Sequence, residues 1–224
     1  MMADTRLLRL LQLVSPSLPI GGFTYSQGIE WAVAAGWITN AADLQAWVVD
    51  QLRHALAQVD LPILLRLYGA VGAADKGRLD YWVDRLIAAR ETMELRQEER
   101  QRGRALADLL VAWALPEVLA WRKHLARSQA AGMAFAGVTG QIPCDSLMLG
   151  YAWTWAEGLI VAGMKCVPLG QTQGQQILAQ LTQVIPETLA IALAIEEDAI
   201  GASCPALAIA SSQHESQYTR LFRS

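Results

Sequence analysis

Apolar residues recur at helical spacing along nearly the whole chain, and no run alternates long enough to propose a strand. Leu7, Leu10, Leu11 and Val14 stand at i, i+3, i+4 and i+7. Leu44, Trp47, Val48, Leu52 and Leu56 mark a second such face, and Leu79, Trp82, Val83 and Leu86 a third. Ile177, Leu178, Leu181, Val184 and Ile185 mark another near the end. A chain patterned this way buries stripes of helices against one another. The fold class that follows is all-α: a single-domain bundle of roughly eight to ten helices over residues 1–224. No repeat or low-complexity linker divides it. Residues 1–4 and 202–224 fall outside the strong pattern, and such ends often order only against a partner.

Prolines and glycines punctuate the pattern. In Ser15–Glu30, SPSLPIGGFTYSQGIE, Pro16 and Pro19 end the first helix because proline has no amide to donate and clashes with the preceding turn. Thr24 and Gln27 have capping-box spacing, so a helix is expected from just after Thr24 to Gly36. Others are expected to start near Asn40, at Asp60 with Pro62 in the first turn, at Pro116, after Asp145 and at Pro186. Gly132–Gly140 is rich in small residues, which lets backbones approach closely.

Composition excludes several classes. With 53% apolar and 17% charged residues the chain is not of disordered type. A net charge of -3 argues against a nucleic-acid binder, which shows a basic footprint. Cys144, Cys166 and Cys204 are far apart and odd in number, which fits a reducing, cytoplasmic compartment. The opening MMADTRLLRL has no signal-peptide core. Leu147–Val167 comes nearest to a membrane span, but it carries Glu157 and Lys165 and reads as a buried core helix. A membrane-surface helix would want a basic polar face, which the charge balance disfavours.

Catalytic patterns fit poorly. Ser26 lies in Thr24-Tyr25-Ser26-Gln27-Gly28, where a nucleophile elbow needs glycine at the first position and a preceding strand. A helical serine hydrolase built on Ser26 is the alternative reading. Gly72–Arg78, GAADKGR, has the wrong order for a phosphate loop. His54, His124 and His214 form no closely spaced ligand pair and are expected at surfaces or interfaces. His214 beside Glu215 is the one candidate for a metal ligand.

Two features admit both a structural and a docking role. Arg90–Arg104, RETMELRQEERQRGR, carries Glu98/Arg102 and similar pairs at helical spacing. Each is worth only about 0.2–0.5 kcal/mol, and the plain reading is a solvated helix face. Arg90, Glu91 and Glu94 adjoin its apolar end, where contact with a partner would count for more. Lys165 lies near a helix C-terminus, which suits a cation, and equally suits the edge of a partner site.

Four segments, LLQLVSPSLPIGGFTYSQGIE, ARETMELRQEERQRGRAL, AWTWAEGLIVAGMKCVPLGQTQGQ and HESQYTRLFRS, together resemble the UreF family of urease accessory proteins, in the family's order from about Leu7 to Ser224. Departures are mild: Thr24 where serine is common, Ser216 and Thr219 exchanging hydroxyl residues, and Cys166 in an aliphatic position. The resemblance implies an all-helical, cytoplasmic, non-enzymatic homodimer. It implies binding to UreD (also UreH) and recruitment of the GTPase UreG, so that nickel reaches apo-urease. Nickel and GTP would then be handled by the complex, with no cofactor held by this chain. The tail His214–Ser224 would be the UreD contact and would fold on binding. Tyr218, Leu221 and Phe222 would be its anchors and Arg220 and Arg223 its rim, with Glu215 and Gln217 between. Lys165, Arg90, Glu91 and Glu94 would lie toward the GTPase or the dimer partner. Tyr25 and Glu30 would meet the core or a partner chain.

Overall fold

The structure, a computed structural model, describes residues 5–224; the expectation for residues 1–4 lies outside the described residues. It is an all-α bundle, with ten helices and no strand among the described residues. In chain order these are α1 (Thr5–Leu13), α2 (Ile29–Ala34), α3 (Ala41–Gly72), α4 (Lys76–Ala88) and α5 (Met93–Ala112). There follow α6 (Val118–Leu125), α7 (Gln129–Thr139), α8 (Cys144–Cys166), α9 (Gln171–Ala194) and α10 (Pro205–His214).

Side-chain caps set several starts: Asn40 accepts from the Ala42 and Asp43 amides, Asp75 from Arg78, Thr92 from Leu95 and Ser128 from Ala130. The core gathers around α3 and α7. Leu44, Val48, Leu52, Leu56, Leu61, Leu64 and Leu67 of α3 are buried, and α7 is buried from Gln129 through Gly137. Such close seating needs glycine. A Cβ on Gly103 of α5 would stand 2.6 Å from the Ser128 amide nitrogen, and one on Gly132 would stand 2.7 Å from the Leu106 side chain.

Four local expectations are corrected. Asp60 does not begin a helix: α3 runs unbroken through it, with Leu52–Asp60 wound as a π-helix. The wider i→i+5 ring opens the ladder just where Pro62 has no amide to give. Pro186 does not begin one either, since it lies inside α9. Burial of Leu181, Ile185, Leu189 and Ala192 along the same helix outweighs the missing hydrogen bond. The Thr24 hydroxyl donates to the Gly21 carbonyl instead of capping, and α2 starts only at Ile29. Gln27 and Gly28 take left-handed conformations there (φ 49° and 80°), because α10 passes so close that a Cβ on Gly28 would stand 3.0 Å from the Ser211 nitrogen. On α1, Leu10 packs into the bundle, but Leu7, Leu8 and Leu11 are more than half exposed.

Among the described residues, helices α3 and α9, not Leu147–Val167, are the ones long and apolar enough to cross a membrane. They pack on one another within the bundle.

Candidate functional site

The segments singled out in the sequence converge at one end of the molecule. The run after Gly201 forms α10 and then an extended stretch lying back across α2, α5 and the end of α8. Three carboxylates receive it. Glu30, in the first turn of α2, accepts from the Leu221 amide (2.6 Å) and the Phe222 amide (2.9 Å). Glu94, in the first turn of α5, accepts from Arg220 Nη1 (2.8 Å). Glu98, one turn further on, accepts from the Ser224 hydroxyl (3.1 Å). The Ser224 main-chain oxygen accepts from both the amide and the hydroxyl of Ser26, each at 2.6 Å, and the Arg223 amide donates to the Thr24 carbonyl.

His214 sits inside this clasp with no exposed surface, which corrects the expectation of a surface or interface histidine. Its Nδ1 lies 2.7 Å from Glu94 and its Nε2 3.3 Å from Glu30. Glu215 does not join it as a ligand pair, because its carboxylate turns to accept from the Met93 and Glu94 amides at the start of α5. Helix N-termini favour such an anion. Among the described residues no group of three His, Cys, Asp or Glu side chains is placed to hold a metal ion. Ser26 is also fully buried, and its hydroxyl is committed to Ser224, an arrangement that suits a structural serine and not a nucleophile.

Behind the clasp lies a buried ionic centre. Arg90 binds Asp60 through both terminal nitrogens and reaches Glu99 at 3.1 Å. Glu99 also accepts from the Ser128 hydroxyl at 2.7 Å. Burial alone would raise the Glu99 carboxyl, but Arg90 and the Ser128 hydroxyl more than offset it and hold Glu99 below the usual carboxylate range. Tyr151 nearby is pushed well up by burial and by the Glu99 and Asp60 charges. Glu98 joins clasp to core: it accepts from Gln27 Nε2 and Arg102 Nη1, both at 2.9 Å, while Gln27 accepts from the Trp155 indole.

The charged run is therefore not a solvated face where it matters: Glu94, Glu98 and Glu99 are buried. The apolar stripe of Leu106 and Leu110, projected back at 3.6 residues per turn, lands on Gly103, Glu99 and Glu98, and that signal could have found them. Asp60 gave no such signal, since it read as a cap.

The other predicted residues divide. Tyr25 is buried and donates to Gln101, and its phenol is raised chiefly by burial and by Glu98. Phe222 is buried under Lys165, whose Nζ stands 5.5 Å from the ring centre. Lys165 itself is exposed, and so is Glu91. The Cys166 thiol is pushed up to about 11 by burial and by Glu30, against a smaller opposing effect of Lys165. Gln217 donates to the Thr219 carbonyl within the tail. Tyr218 is fully exposed and Leu221 two-thirds exposed, so two of the three expected anchors face away from the chain that carries them.

Fold and site together define a helical bundle that clasps its own C-terminal segment and displays it as a surface. The chain belongs to the UreF family: the family model matches residues 38–182. It is 51% identical to the urease accessory protein UreF of Pseudomonas putida (strain W619), over the whole of both chains. It is likewise 46% identical to the UreF of Citrobacter koseri over all of both chains, and 45% identical to that of Escherichia coli O157:H7 over 97% of each. Those relatives are named accessory proteins, which fits a chain that assists urease and does not itself catalyse.

Proposed function

We propose that the chain is a non-enzymatic scaffold in the nickel-dependent maturation of urease. It works in the cytoplasm as a homodimer, bridges UreD (UreH) and the GTPase UreG, and relays GTP-dependent delivery of nickel, the cargo, to apo-urease. The clasped tail carries this reading. Tyr218 stands fully exposed and Leu221 mostly so, and the exposed Arg220 and Arg223 flank them along the tail. Exposed aromatic and aliphatic groups next to charge are what a partner surface needs at its centre and rim. Leu7, Leu8, Leu11 and Phe23 add further exposed apolar surface for the dimer partner or UreD.

The test is deletion of residues 215–224, followed by co-purification with UreD and assay of urease activation in a strain carrying the accessory set. The core should stay helical and UreD should be lost. Unchanged co-purification of UreD with the shortened chain would refute the assignment of the tail as its contact.

A further inference from the structure

Seating the tail changes which charges this end of the molecule shows. The run Arg90–Arg104 holds five arginines and four glutamates, close to balance. In the fold Glu94, Glu98 and Glu99 are buried, and Arg90 and Arg102 are mostly covered where they pair with Glu99 and Glu98. Arg96 turns to the Arg90 carbonyl at 2.6 Å. Arg100 and Arg104 are left over: both are exposed, and neither makes an ion pair or a hydrogen bond among the described residues. The exposed acid of the run is Glu91, which precedes α5 and lies on the side of Cys204. Glu94, Glu98 and Gln101 form one row along α5, and that row is occupied: Arg220 on Glu94, Ser224 on Glu98, and the Tyr25 hydroxyl on Gln101 at 2.8 Å. Met93, Gln97, Arg100 and Arg104 form the neighbouring row, because residues three and four apart on a helix stand one above another. All four are exposed. The two arginines of this row, four residues apart, repel each other.

We infer that the docking surface continues from the tail onto this outward row of α5, and that the partner face it takes is acidic. Carboxylates of the partner would stand opposite Arg100, Arg104 and Arg223, around an apolar contact with Tyr218, Leu221 and Met93. The tail supplies the same sign of charge beside the row: Arg220 and Arg223 are exposed, and Arg223 comes next to Tyr25. The carboxylates that could have cancelled these cations, Glu30, Glu94 and Glu98, are turned inward and engaged by the tail. Glu215 is likewise engaged at the start of α5. An apolar centre with a charged rim is the common anatomy of a protein interface, and rim charges act chiefly on the rate of encounter. Nucleic acid is disfavoured by the net charge of -3, which leaves no broad basic footprint. A membrane surface is disfavoured because the row has a single apolar side chain, Met93, where an interfacial helix needs an apolar face.

This rests on the reading of the tail as a docking surface and extends it to residues outside the tail, so the test separates the two. The probe is UreD of the same accessory set, and its association rate with the full chain is measured from about 50 to about 300 mM salt, a range over which screening changes strongly. Arg100→Glu and Arg104→Glu are measured singly and together. Lys123→Glu on α6, next to the Arg122 that pairs with Asp108 at the far end of α5, makes the same change of net charge as either single variant. Both arginines are exposed and unpaired, so the variants should keep their helicity and melting temperature. Should the double Glu variant not fold, Arg100→Gln/Arg104→Gln takes its place. In the unaltered chain association should slow as salt rises. The double reversal should slow it by about tenfold or more at low salt and flatten the salt dependence, while Lys123→Glu changes it by less than about twofold. Equal rates for the unaltered and doubly reversed chains, or an equal loss in Lys123→Glu and the single variants, overturn the proposal. If deleting residues 215–224 still abolishes binding in that case, the tail reading stands. If that deletion leaves binding unchanged while charge reversal slows it, the acidic partner face stands and the tail reading falls. No binding of UreD to the unaltered chain overturns both. Flotation of the unaltered chain with phosphatidylglycerol vesicles, lost on charge reversal, would assign the row to an anionic membrane and overturn the protein partner.

Discussion

Replacing Arg90 by methionine keeps much of the side-chain volume and removes only the charge and its donors. Asp60 and Glu99 would then face each other's surroundings with no cation, at side-chain exposures of only 3% and 6%. Breaking a buried pair from one side typically costs about 3–5 kcal/mol, because the remaining charge is left uncompensated. For a chain of this size each kcal/mol lowers Tm by about 2–4 °C, so Arg90→Met should melt about 6–20 °C lower near neutral pH. The pH dependence distinguishes this cause from lost packing. In the unaltered chain Glu99 is held below its ordinary value, so its contribution is present above the unfolded value and is lost as pH falls through the folded one. In Arg90→Met, burial without Arg90 raises Glu99, so the penalty is full at neutral pH and fades as the acid takes up its proton. Both effects narrow the gap between the two proteins on acidification toward about pH 4, the ordinary range of glutamate. Denaturant unfolding at neutral and acid pH measures it, with Arg90→Met/Glu99→Gln as the partner variant that should recover part of the loss. A neutral-pH deficit under about 1 kcal/mol, or one that stays constant on acidification, would refute the reasoning.

Two further outcomes are expected. Gly103→Ala puts a Cβ 2.6 Å from the Ser128 backbone, so α5 and α7 must separate, and a loss of about 1–3 kcal/mol or more should appear in thermal melts. Lys165→Ala removes a single exposed cation–π contact worth about 0.5–1 kcal/mol. It should therefore leave Tm within a few degrees of the unaltered chain while changing urease activation in the reconstituted system, and the reverse pattern would make Lys165 a purely structural residue.

Where one helix face meets the core, sequence and structure agree closely. Leu44, Val48, Leu52 and Leu56 are all buried along α3, and Asn40 caps it as its side chain suggests. Agreement fails where a local rule competes with packing. Pro62 and Pro186 read as helix starts, yet both stand within longer helices whose buried stripes continue past them. Thr24 has the spacing of a cap, but the crossing of α10 at Gly28 takes that turn for its own use. At the site the residues Glu30, Glu94, His214 and Arg220 were each singled out in the sequence, but as three separate features: a tail, a charged run and a turn. Their mutual contacts were not legible, because Glu94 and His214 are 120 residues apart in sequence. Glu98 and Arg102 looked like an ordinary surface pair at i, i+4, and only the seating of the tail and Gln27 upon them makes that pair part of the interior.

By itself the sequence determines that this chain is an all-helical bundle of the UreF family, since helical periodicity is a local property and the four signature segments are contiguous. Tertiary structure alone decides that the tail closes over three carboxylates, that His214 is locked between two of them, and that Tyr218 and Leu221 face outward while Phe222 is buried. The reason is that charge changes its meaning on burial. An acidic residue in a sequence reads as solvent-facing, but Arg220, His214 and the tail amides arrive from distant segments to partner Glu30 and Glu94, and Arg90, just ahead of α5, folds back onto Glu99.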